Sequence, residues 1–440
     1  MITSKFTSGM PASEIVASID YKVRINGTDC FVYVCESASY VIGSGEGPVT
    51  VEIETPLCVE QVKVRPLSKG IQPKPANGSI TLEVQAPIKL SIEFGGDIRK
   101  PLFLLINPPE NNRPDPSDLS VKYYRGGAVY DAGEIILNSG ETVYIEEGAV
   151  VRGHITAPES NGARIAGRGI LDGSGWRTTG LQPYEKRKQM IKAISCNDLE
   201  IEGITVVDGS NWHVVPIGSH NVTIRNLNVI TFEGTGDGCD IVGCENVVVD
   251  NCFIRAKDDC LAVKAVDYHH EAGLANVKNV LVQNCVFWNA EWGNCMEIGY
   301  ETRCDTISGV TFRNIDVMRC EFEGHQSGGV FTIHNGDRAV IQDILYEDIR
   351  VEDAQEKLVD IKVLDSKYSR DTIRGQVDGV TFRNIQVIDG LFPVSIIRGW
   401  SEEHMIRNIR FEGLTVHGEP VKSANDARMV VELAVDVSFQ

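Results

Sequence analysis

Four aspartates carry the chemistry that reads most directly from this chain. Asp237 and Asp240 stand in the glycine-rich stretch GTGDGCDI (234–241), and Asp258 and Asp259 stand side by side in KDDCLAVK (257–264), 21 and 22 residues after Asp237. In a chain that coils back on itself at about that period, these carboxylates become neighbours on one patch of the outer surface. Like charges at such range repel, which raises at least one pKa and lets one carboxyl hold a proton while another stays ionised. Cleavage of a glycosidic bond needs that division of labour. The same residues also fit aspartates that only cap Gly-rich turns, or a Ca²⁺ site of clustered carboxylates.

A coiling chain is what the flanking sequence predicts. Units beginning at residues 197, 220, 245, 278, 308, 342, 378 and 407 read NDLEIEGITV, HNVTIRNLNV, ENVVVDNCFI, KNVLVQNCVF, SGVTFRNIDV, QDILYEDIRV, DGVTFRNIQV and RNIRFEGLTV, at spacings of 23 to 36 residues. Each unit alternates apolar and polar residues on both sides of a polar corner, and no unit can bury its apolar face alone; stacked, they form a parallel β-helix. Leucine-rich repeats would need Leu at fixed sites and a helical segment, and propeller blades would be longer. Cys252 and Cys285 fall at the same repeat position, so they should stack. Asn251, Asn284, Asn314 and Asn384 fall at the corner before it, and the expectation is an inward amide ladder that satisfies corner backbone groups.

Ahead of the repeats, VTVEIET (49–55), ITLEV (80–84) and KLSIEF (89–94) alternate with period two between Gly and Pro breaks, as in a small β-sandwich. PPENNRPDP (108–116) reads as a linker. The expected fold is therefore all-β: a sandwich over 1–115, then a right-handed parallel β-helix over 116–440, with coils from about 120 to 425. Abundant glycine (42 of 440 residues) and few aromatics (7%) agree with many short strands and turns. A formal charge of -19 argues against nucleic acid or an anionic membrane as partner, since both call for a basic surface. The first 20 residues hold no apolar run of signal-peptide length, and the expectation is a soluble cytoplasmic chain unless a leader has been removed. The 12 cysteines match neither a metal pattern nor a disulfide scaffold and are expected as buried free thiols.

GDGCDIVGCENVVVDNCFIRAKDDCLAVK (237–264 with its leading glycine) resembles the core signature of the family 28 glycoside hydrolases, the polygalacturonase group of pectin-lyase-like β-helices. ARIAGRGILDGSGW (163–176) and SNWHVVPIGSHNVTIRNLNV (210–229) are similar to neighbouring coils of that family, and the resemblance covers about residues 140–415. It implies an inverting hydrolase with Asp259 as general acid and Asp237 and Asp258 holding the attacking water, the acid and base being separated by about 6.5–9.5 Å to admit that water. Lys264 matches the lysine that closes the aspartate-pair motif. No cofactor and no metal are implied, and the partner is a carbohydrate.

Several positions depart from the family pattern. The expected histidine of Gly-His-Gly is Asn294, an extra carboxylate stands at Glu297, and the Arg-Ile-Lys that grips galacturonate carboxylates is Thr332-Ile333-His334. Arg reads a carboxylate bidentately in a way that Thr and His do not reproduce. Similarity to the family 49 dextranases, which also join a sandwich to a β-helix, extends over 123–155 and favours a neutral glycan over polygalacturonate. Asp240, Lys264, Trp292, Asn294, Glu297, Arg303 and His334 are the expected substrate-binding residues, with Lys264 and Arg303 the only nearby cations. Two other classes are a uronate lyase or epimerase on the same scaffold and a noncatalytic glycan-binding β-helix.

Overall fold

The structure is a computed structural model and describes residues 5–176, 187–321 and 328–440. Two sheets divide it. A ten-stranded, largely antiparallel sheet system runs from Lys5–Thr7 to Leu102–Asn107, and the long strand Ala38–Glu54 bends between its two layers, pairing with Leu102–Asn107 and Lys5–Thr7 at one end and with Lys22–Ile25 and Ser79–Ala86 at the other. A thirty-stranded coil then runs from Val121–Tyr124 to Ala434–Phe439, each strand pairing in parallel with its counterpart one turn on, apart from one short antiparallel return at Glu419–Pro420. It is a right-handed parallel β-helix, and it continues past the expected end near 425. No helix among the described residues is long and apolar enough to cross a membrane.

The repeat pattern explains the coil. Its third, fifth, eighth and tenth positions point inward: Val247, Val249, Cys252 and Ile254 in one unit, Val280, Val282, Cys285 and Phe287 in the next, all buried in one continuous core. Cys252 and Cys285 do stack, since Phe253 pairs with Val286. At the fifth position, Phe312, Tyr346, Phe382 and Phe411 form a parallel ring column that Phe439 completes, with centroids 4.6–5.0 Å apart.

The corners differ from the sequence expectation. The second and seventh positions of every unit adopt left-handed backbone, from Asp198 (φ 56) and Gly203 (φ 85) to Asn408 (φ 55) and Gly413 (φ 78), so each is Asn, Asp or Gly, the residues that tolerate that conformation. The asparagine side chains there point outward, not inward. Asn251 donates to Asn226 at 2.8 Å and Asn314 to Asn284 at 2.7 Å along the outer surface, whereas Asn284 and Asn384 turn to Asp250 and Asp348. The left-handed bend turns these side chains away from the core, which stays apolar. Of the cysteines, eleven are buried and free; Cys58 is exposed.

The sandwich is welded to the coil rather than tethered to it. Tyr40, Phe103 and Leu105 pack with Val207, Ile230, Phe253 and Trp288 in one buried cluster. Beside it Arg65 bonds Glu352, and Arg319 reaches Glu93 at 2.7 Å.

Candidate active site

The acidic cluster forms where two coil corners stack. Asp237 precedes the strand Cys239–Val242, and Asp258 and Asp259 precede Leu261–Ala265, which pairs with it one turn later. Gly238 N donates to Asp259 O at 2.8 Å, which locks the two corners together. One oxygen from each of Asp237, Asp258 and Asp259 lies within 4.8 Å of the others. This is closer than the roughly 6.5–9.5 Å expected of an inverting pair, because the carboxylates rise from coils spaced about 4.8 Å apart.

Lys264 answers their charge. Its Nζ lies 2.8 Å from Asp237, 2.9 Å from Asp240 and 3.4 Å from Asp259, and it sits over the Trp212 ring at 4.2 Å. Three carboxylates hold the ammonium protonated against burial, and its pKa is raised well above the lysine value. In turn, burial foremost and then the neighbouring carboxylates raise Asp240 and Asp258 well above the usual range. Burial, opposed by Lys264 and reinforced by Asp237, brings Asp259 to about 7. With one cation among four carboxylates, the cluster keeps a proton near neutrality, shared as a coupled set.

Asp259 and the corner that carries Asp237 have dedicated supports. Asn294 holds Asp259 Oδ1 through both its backbone N–H and its Nδ2, each at 2.9 Å. Gly293 makes room, since a Cβ there would fall 2.5 Å from the Asp258 carboxylate and from the Asp259 nitrogen. His213, which sequence reasoning missed, donates its backbone N–H at 2.9 Å and sets Nδ1 at 3.1 Å to the Asp237 carbonyl, while Nε2 accepts from Gly209 N. Burial lowers His213 to about 4, so it stays neutral in the tautomer protonated at Nδ1.

The cluster opens into a groove of about 1450 Å³, lined by Trp212, Tyr268, Trp292, Tyr300, Tyr368 and Trp400 along its aromatic faces. Of the expected substrate-binding residues, Lys264, Trp292 (44% exposed) and Asn294 line it. Asp240 lies fully buried behind Lys264. Glu297 and His334 do not reach the groove either: both are fully buried, with His334 bound at 3.0 Å to Glu297 and 3.3 Å to Asp360. The Tyr300 ring, which does line the groove, stacks on His334 at 4.3 Å. Arg303 points away, paired with Asp267 at 2.9 Å and Asp371 at 3.5 Å.

The expectation of only two nearby cations is also corrected, because Lys362, Lys367, Arg370 and Arg398 line the groove. They come from later coils that carry no motif. Their signal lay in the register: Lys362 and Arg398 follow His334 at the same rung of successive strands. Glu301 and Tyr268, on the groove wall, were missed for the same lack of a local pattern.

The structure thus joins an acidic cluster to an aromatic groove on a sandwich-capped β-helix. The chain belongs to family 28 of the glycosyl hydrolases, whose sequence profile matches residues 117–425. A probable polygalacturonase of Arabidopsis thaliana is 29% identical over 185 residues, 35% of this chain and 39% of its own length. An exopolygalacturonase of Cochliobolus carbonum is 23% identical over 35% of this chain and 34% of its own length. The matched segments thus span well under half of these relatives. Among solved structures, Dex49A from Penicillium minioluteum superposes over 99% of this chain and 96% of its own at a TM-score of 0.76 and 16% identity. A hyperthermoactive exopolygalacturonase from Thermotoga maritima superposes over 72% and 84% at a TM-score of 0.56, also at 16% identity. At such identities the likeness is one of fold.

Proposed function

We propose that the protein is an inverting glycoside hydrolase that cleaves a glycan uncharged at the scissile linkage. Asp259 gives its proton to the glycosidic oxygen as the bond to the anomeric carbon breaks. A water held by Asp237 and Asp258 attacks that carbon from the opposite face and passes its proton to their carboxylates. Lys264 and Asn294 keep the carboxylates in place. The short spacing between carboxyls would by the two-residue rule favour retention. That rule assumes one acid and one base across the bond, whereas here three carboxylates offer oxygens within 4.8 Å of one another, and two of them can seat a water. Product NMR reads the outcome directly, and retention of the anomer would sink the inverting scheme.

The observation that carries the neutral-glycan reading is the charge around the cluster. Thr332, Ile333 and His334 are fully buried, so the strand resembling the anion-reading strand offers no guanidinium. Lys264 is already held by three carboxylates, and Glu301 adds a further acid to the wall. A uronate bound there would be desolvated beside acids, at a cost of roughly 1.5–3 kcal/mol for each charge-assisted bond not made. One observation favours the second reading, a polygalacturonase: Arg370 sits over the Tyr268 ring at 5.6 Å and lines the groove. The relatives named polygalacturonases point the same way.

Rates on polygalacturonate, dextran and mixed neutral oligosaccharides, compared at fixed ionic strength, separate the two. Fastest cleavage of polygalacturonate replaces the first reading by the second, and an ultraviolet-absorbing unsaturated product would identify a lyase instead. Asp259→Asn and Asp237→Asn are each expected to lower turnover by at least about a hundredfold with the fold intact by circular dichroism. Near-normal rates in both would remove these residues from the mechanism.

A further inference from the structure

The groove runs well beyond the carboxylates, and the coil register gives its direction. Gly299, His334, Lys362, Arg398 and Glu432 occupy one rung on successive parallel strands. Lys264 lies one coil earlier, its neighbours Val263 and Ala265 pairing with Ile298 and Thr302. Five coil steps of about 4.8 Å therefore separate the carboxylate cluster from Glu432, roughly 24 Å along the axis. Residues at both ends line the same cavity.

The far end is built from Arg398, Gly399, Trp400, Glu432 and Leu433. Trp400 is 50% exposed and Leu433 41%. The Trp400 backbone is held, its N–H donating to His404 O at 3.0 Å, and Gly399 N donates to Glu432 O at 3.0 Å. Only glycine fits at 399, since a Cβ would lie 2.4 Å from the Leu433 carbonyl. Arg398 pairs with Glu432 at 2.7 Å, so the rung presents donors and acceptors with its charge internally balanced. A half-exposed indole beside such a pair suits a sugar ring, which offers an apolar face and a rim of hydroxyls.

We propose that the last two coils form a distal subsite in which Trp400 stacks on a sugar of the same glycan whose linkage is cleaved at Asp237, Asp258 and Asp259. The proposal rests on the hydrolase reading above. Continuity of the groove commits the occupant to the substrate chain itself: Trp400 follows Arg398 on the coil four steps beyond Lys264, so a glycan lying along the axis reaches it only if it spans roughly 19 Å. Chain length thereby becomes a determinant of rate.

The test uses size-fractionated oligosaccharides of whichever of the three polymers is cleaved fastest, with kcat/KM measured against chain length. The native protein is expected to show a step up in kcat/KM at the length that reaches Trp400. Trp400→Ala is expected to abolish the step, so that the ratio of long-chain to short-chain kcat/KM falls about tenfold, in line with a stacking contact of roughly 1.4 kcal/mol. Trp400→Phe should restore part of it. Equal losses at every length, or none at any length, overturn the subsite. If no polymer is cleaved, the hydrolase reading fails by itself. The same dextran and polygalacturonate ladders are then titrated by calorimetry onto the native protein and onto Trp400→Ala, and an affinity that does not depend on length or on Trp400 overturns the subsite separately.

Discussion

At Asp259 burial pushes the carboxyl up, Lys264 and Asn294 pull it down, Asp237 pushes it up again, and the balance falls at about 7. A general acid must be protonated to act, so kcat/KM should decline as pH rises through about 7. Asn294→Ala takes away one of two donors to Asp259 Oδ1 and leaves the backbone N–H in place. Those donors favour the ionised form, so losing one raises the pKa. The alkaline limb of the pH profile should move to higher pH, while kcat at pH 6 falls roughly tenfold, the worth of one hydrogen bond to a charged group. An unmoved limb would show that Asp259 does not set it. The four aspartates were legible because two short motifs hold them. Their supports were less so: His213 touches a backbone carbonyl, and a contact of that kind leaves no mark in sequence spacing.

At the scale of the strand, the ladder Glu297–His334–Asp360 ties three successive coils beneath the groove floor. Burial alone would lower His334, but Glu297 and Asp360 outweigh it and hold the ring at about 9. Burial likewise opposes the ionised Asp360, yet His334 and two lysines bring it to about 2. The unfolded imidazole titrates near ~6.5. The contribution of His334 to stability is therefore full below about 6.5 and lost as pH rises through about 9. That of Asp360 is full above about 4 and lost as pH falls through about 2. His334→Gln leaves Glu297 buried without its cation, while Asp360 keeps Lys362 at 2.8 Å and Lys357 at 3.3 Å, and should cost roughly 3–5 kcal/mol in denaturant unfolding at pH 6. The cost should shrink by pH 9.5, and a pH-independent difference would contradict the charged pairing. Sequence comparison had set His334 on the groove as a sugar ligand. Its rung faces the groove, since Lys362 and Arg398 on the same rung line it, but the Tyr300 ring stacks on the imidazole at 4.3 Å and covers it.

On the scale of the whole molecule, the sandwich and the β-helix share a buried surface rather than a hinge. Phe103 is fully buried, with its ring 4.9 Å from Phe253 and 5.8 Å from Trp288 of the coil. Phe103→Ala should cost roughly 3–5 kcal/mol. Calorimetry should still show both parts melting in one lowered transition, whereas a separate early transition of the sandwich would show that the contact does not couple them. By itself the sequence determined the coil, its interior and the aspartate cluster, because period-two alternation and αL-tolerant corners are local rules that every unit repeats. Tertiary structure alone decided the rest. The outward turn of the asparagine ladder follows from the left-handed backbone at each corner. Burial of Glu297 and His334, the turn of Arg303 toward Asp267, and the supply of Lys362, Arg370, Arg398 and Trp400 to the groove depend on how far each coil's loop advances before the next strand is laid down. That advance varies from 23 to 36 residues per unit, and only stacking sets which side chains share a rung.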